Sequence, residues 1–131
     1  MRSFFNRRIV GVGIVVAVLM LFGIIMVSTG IRARNESHKN ACINNLRMID
    51  DCKQQWALEQ HKKATDVPTV TELWIYLHPG REEPPKPINE DDLPCCPDDP
   101  AQSFRTSYQL RSVGELPICL IDPKNHVLPP R

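Results

Sequence analysis

The sequence predicts an α+β chain: a long N-terminal helix, a second short helix and a small antiparallel β-hairpin or sheet. Three observations predict it. An uncharged apolar run, Ile9 to Val27, leads into helix-periodic residues with no intervening proline. A capping-box sequence opens a second helical stretch near residue 70. Eleven of the 12 prolines stand at residue 79 or later, which confines long helices to the first half.

The chain has 131 residues, room for one small domain beyond the apolar run. Residues 1–8 carry Arg2, Arg7 and Arg8 and are expected to form a short basic cytoplasmic N-terminus. The uncharged run that follows would span about 28 Å as a helix, close to the hydrocarbon thickness of a bilayer. Residues 9–29 are therefore expected to be a transmembrane helix bounded by Ile9 and Val27, in contact with membrane lipid. A cleaved signal peptide is the competing reading, with Ser28-Thr29-Gly30 offering small residues for a cut.

Beyond the run lie 13 of the 16 basic residues and all 15 acidic ones, a net charge of −2. A head of that charge argues against nucleic acid as a partner, because phosphate recognition needs a basic face. Basic residues flank both ends of the run, so charge alone does not orient it. Four of the five cysteines, Cys52, Cys95, Cys96 and Cys119, lie well past it. A small head benefits from a disulfide, which persists in oxidising compartments, and the head is accordingly expected outside the cytoplasm.

In residues 30–131 the first element is a long helix over about 35–63. Cys42, Leu46, Ile49, Cys52 and Trp56 recur at helical spacing and form its core face. The second helix covers about 70–77, opened by Thr69 and Glu72 and closed by Pro79-Gly80. A proline-rich loop occupies 79–103. A β-hairpin is expected over about 104–121, with strands at Phe104–Leu110 and Pro117–Ile121 and a turn at Ser112–Glu115.

Two stretches of this sequence are similar to a known family. Ala41-Cys42-Ile43-Asn44-Asn45-Leu46-Arg47-Met48-Ile49-Asp50 and Lys53-Gln54-Gln55-Trp56-Ala57-Leu58-Glu59 resemble the helix of bacterial type IV pilin-like proteins and type II secretion pseudopilins. Arg32-Ala33-Arg34 fits the same pattern, and the tail from Cys96-Pro97 to Leu128-Pro129 matches more loosely. The resemblance implies a pilin-like fold and a single-pass protein of the bacterial inner membrane, with a periplasmic head and other pilin-like or secretion proteins as partners. The prepilin peptidase motif is missing: Asn6, Arg7 and Gly11 stand at its glycine, phenylalanine and glutamate positions, and Ser28 at the usual proline.

Among candidate sites, Cys96 and Cys119 flank the hairpin and are the expected disulfide, with Cys95 able to replace Cys96. Cys42 and Cys52 lie about 15 Å apart along one helix, too far to bridge, and read as small buried core residues. His38, His61, His78 and His126 are scattered without a C-x2-C pair, so zinc-ligand spacing is absent. Asp98 and Asp99 are calcium candidates on an acidic loop, beside the alternative of a solvated loop. His38 and Cys42, four apart on the helix, are the nearest approach to a thiolate pair. There is no Gly-rich phosphate loop, nucleophile elbow or HExxH, and no small-molecule substrate is indicated. The expected function is a non-enzymatic, membrane-anchored structural subunit of an envelope or secretion assembly. The alternative is a membrane-tethered periplasmic binding module that uses the acidic loop for an ion or ligand.

Overall fold

A computed structural model describes residues 2–81, 83, 87–89 and 92–130; among residues 2–28 it describes side chains only at 13, 15–23 and 26. Helix α1 runs Arg2–Glu59, α2 Val70–Leu77 and α3 Phe104–Ser107; strands β1 (Tyr108–Gln109) and β2 (Ile118–Cys119) follow. The chain divides into two compact units, Met1–Glu36 and Ser37–Arg131.

The first unit is helical backbone belonging to α1. Its described apolar side chains, among them Val15, Leu19, Phe22 and Met26, are exposed. Among the described residues no helix is long and apolar enough to cross a membrane. The side chains of Ile9 and Val27, and those of Arg2, Arg7 and Arg8, lie outside what the structure describes. This finding corrects the transmembrane segment, the anchored pilin-like fold, and the single-pass inner-membrane location with its periplasmic head.

The second unit holds the core. Cys42, Leu46, Ile49, Trp74, Leu93, Cys96, Phe104, Tyr108 and Cys119 form one buried cluster; Cys52, Trp56, Ala57, Leu73 and Val113 form another. Both rest on the same α1 stripe, because residues three and four apart share a helix face. Fully burying a Leu, Ile or Trp contributes about 1.5–3 kcal/mol, so this stripe is the main adhesive of the head.

α1 stops at Glu59 rather than near residue 63. His61 enters the left-handed region (φ 52°), and the Lys62 amide donates back to the Ala57 carbonyl at 2.9 Å. That closure satisfies carbonyls at the helix end and turns the chain. α2 begins at the capping box: Thr69 Oγ1 accepts from the Glu72 amide, and the Glu72 carboxylate accepts from the Thr69 amide at 2.7 Å. The Thr69 amide, followed by the Thr69 hydroxyl, holds the Glu72 carboxyl below the ordinary carboxylate range.

The hairpin is shorter than the sequence suggests. Phe104–Ser107 forms a helical turn, not strand, because Ser103 caps it by accepting from the Arg105 amide at 3.3 Å. Only two residues of each strand pair, antiparallel, with Tyr108 opposite Cys119 and Gln109 opposite Ile118. The connecting loop is docked rather than free. Val113 and Gly114 amides donate to the Asp66 and Ala64 carbonyls at 2.9 and 2.7 Å. Lys53, with no exposed surface, reaches from α1 and donates to the Leu110 and Glu115 carbonyls at 2.8 and 2.7 Å.

Candidate metal centre

Four segments of the head converge on one point. Cys42 projects from the buried face of α1. Cys96 opens a turn closed by the Asp99 amide donating to the Cys96 carbonyl at 2.9 Å. Cys119 sits on β2, opposite Tyr108, so pairing register turns it toward the core. His126 follows a turn in which its amide donates to the Asp122 carbonyl at 3.0 Å, while the Asp122 carboxylate takes the Asn125 amide and side chain at 3.2 and 2.8 Å.

All four residues are buried, and their donor atoms lie within 4.8 Å of one another. His126 Nδ1 is 3.7 Å from the sulfurs of both Cys96 and Cys119. A tetrahedral zinc ion with bonds of about 2.3 Å to sulfur and 2.0–2.1 Å to nitrogen sets ligand-to-ligand edges of about 3.6–3.8 Å. The two imidazole-to-sulfur distances match those edges, and the four donors lie close enough together to hold a metal ion. The donor set, three thiols and an imidazole, is soft, whereas calcium takes six to eight oxygens.

The surroundings complete the site. Burial pushes the Cys42 and Cys96 thiols up, and the Asp98 amide, donating to the Cys96 sulfur, works against that rise. These thiols stay protonated until a cation displaces their protons. The Tyr108 hydroxyl donates to the Cys42 sulfur at 3.6 Å, and the Asn45 amide nitrogen donates to the Tyr108 oxygen at 3.2 Å. The same nitrogen donates to the Cys95 carbonyl at 2.9 Å. The Cys96 amide donates to Ser107 Oγ at 2.9 Å, and that hydroxyl donates to Asp99 at 2.7 Å.

The remaining sequence candidates fall elsewhere. Asp99 is buried, and its carboxylate accepts from Thr106, Ser107 and the Ala101 amide at 2.6, 2.7 and 2.9 Å. Asp98 faces His38 Nδ1 at 2.6 Å and His126 Nε2 at 3.8 Å. The two carboxylates thus point to different partners, and calcium is not supported. Cys96 and Cys119 are free thiols, as are Cys42, Cys52 and Cys95. Leu46, Ile49 and Trp56 pack the core and Cys52 lies in the second cluster, its thiol pushed up to about 11 by burial, then by the nearby Asp51 charge. His38 Nδ1 pairs with Asp98, while the Cys42 sulfur lies among Cys96, Cys119 and His126.

Sequence reasoning missed this centre. The residues that could hold an ion there are Cys42, Cys96, Cys119 and His126, and only the last two lie close in sequence. A Cys-x6-His pair near the chain end was the one local signal.

No protein-family model, curated protein or solved structure matches the chain. The likeness to pilins and pseudopilins of type IV pili and type II secretion therefore has no family match behind it, and that reading falls together with the membrane span.

Proposed function

We propose that the head is a metal-stapled structural module: a non-enzymatic domain in which Cys42, Cys96, Cys119 and His126 hold one zinc ion. The observation that carries this reading is the convergence of four buried soft donors whose ligand atoms lie within 4.8 Å of one another. All four coordination positions are filled by protein, which leaves none for a reacting water or substrate and favours a structural over a catalytic zinc. The ion ties α1, the turn at Cys96, β2 and the C-terminal turn, four segments that share little regular structure. Such a head acts by presenting a fixed surface to protein partners.

The test is metal content of the full chain purified without chelator, with the ligands replaced singly. One zinc per chain is expected, lost in Cys42→Ala, Cys96→Ala, Cys119→Ala and His126→Ala, and retained in Cys52→Ala and Cys95→Ala. Zinc retained by all four ligand variants, or lost equally in the two controls, would overturn the assignment.

A further inference from the structure

A zinc ion bound by three thiolates and one neutral imidazole carries a net charge of −1. Here that charge would sit in a cluster built from Leu46, Ile49, Trp74 and Phe104. A buried charge is costly unless hydrogen-bond donors face it. Water has little access, because Cys42, Cys96 and Cys119 have no exposed surface and His126 is 4% exposed. The donors must come from the protein.

One stands at a sulfur: the Tyr108 hydroxyl, 3.6 Å from that of Cys42. A hydroxyl both donates and accepts, so its proton has to be aimed. Asn45 aims it. The Cys95 carbonyl only accepts, which fixes the nitrogen end of the Asn45 side chain toward it, at 2.9 Å. The second hydrogen of that nitrogen goes to the Tyr108 oxygen, at 3.2 Å. With its oxygen engaged as an acceptor, Tyr108 keeps its proton for sulfur.

We infer that Tyr108, oriented by Asn45, is a positioning residue of the metal centre, donating its hydroxyl proton to the Cys42 thiolate and so fixing both the charge balance and the aim of that ligand. The inference rests on the zinc reading. Asn45 lies three residues beyond Cys42 on α1 and also grips the carbonyl next to Cys96, so one amide aligns two ligand-bearing segments. Outer-shell partners of this kind typically change metal affinity 10–100-fold when removed.

The test uses the full chain with Tyr108→Phe, Asn45→Ala and, as a control hydroxyl remote from the centre, Tyr76→Phe. Tyr108→Phe keeps the ring, which packs edge-on to Phe104 at 5.8 Å. Zinc affinity is measured by chelator competition, and the cobalt(II) form reports the sulfur-to-metal charge-transfer band. Tyr108→Phe is expected to bind zinc about 10–100-fold more weakly and to shift the band to lower energy, since an unsolvated thiolate donates more readily. Asn45→Ala shifts both in the same direction, and Tyr76→Phe leaves both unchanged. A wild type that binds neither metal sinks the zinc reading itself. A wild type that binds, with Tyr108→Phe matching it in affinity and band, overturns only the inference. Weaker binding with an unmoved band also overturns it, since packing alone would then account for the loss. If Tyr108→Phe fails to fold, Asn45→Ala decides by the same two readouts.

Discussion

Replacing Lys53 with methionine removes a buried cation while keeping an apolar stem of similar length. The ammonium group donates to two loop carbonyls, Leu110 at 2.8 Å and Glu115 at 2.7 Å, and stands 3.9 Å from an Asp50 carboxylate oxygen. Methionine cannot donate, so both carbonyls lose this donor, at about 1–3 kcal/mol each where water cannot replace it. Relief from burying a charge offsets part of that loss. The expected net cost is about 2–4 kcal/mol, or roughly 1–2 M in the urea midpoint at ordinary denaturant sensitivity. Urea unfolding of the zinc-loaded full chain, followed by tryptophan fluorescence, measures it. Because the loop connects β1 to β2, zinc affinity should fall alongside stability. A midpoint shift worth less than about 0.5 kcal/mol would refute the reasoning: the lysine would then contribute no more than an ordinary surface residue.

Two further outcomes follow from local geometry. A Cβ on Gly114 would meet the Ala64 oxygen at 3.2 Å and the Ala64 Cβ at 3.3 Å; Gly114→Ala should cost about 1–3 kcal/mol by overpacking, with part recovered in combination with Ala64→Gly, and an unchanged urea midpoint would contradict it. The Thr106 hydroxyl, followed by that of Ser107, holds the Asp99 carboxyl below its ordinary range. A depressed folded-state value means stability present above the unfolded value of about 4 and lost as pH falls through the folded one. The stability gap between wild type and Asp99→Asn should therefore be full at pH near 7 and narrow below about 4; a gap constant across that range, read from urea midpoints at matched zinc, would contradict it.

What could be read from the sequence was local. Leu46, Ile49 and Trp56 announce a buried helix face because helical period places them together within a few turns. Thr69 and Glu72 announce a helix start because the box closes within four residues. Phe104–Ser107 misleads: its residue types suit a strand, yet Ser103 beside it can cap, and the capped turn forms. The apolar opening run misleads more, since composition alone suggested a span that the described residues do not contain. The metal centre was illegible for another reason. Cys42 fits the apolar period of α1, so it reads as core, and the gap from it to Cys96 is closed only by tertiary packing. Asp99 read as a calcium candidate or as part of a solvated loop, but the neighbours that absorb it, Thr106 and Ser107, become neighbours only once α3 turns back.

X-ray absorption at the zinc edge reads the ligands of the proposed ion themselves. A four-coordinate shell is expected, with three sulfurs at about 2.3 Å and one nitrogen at about 2.0 Å. A shell of oxygen and nitrogen ligands without sulfur, or a chain that retains no zinc when purified from zinc-supplemented medium, would contradict it.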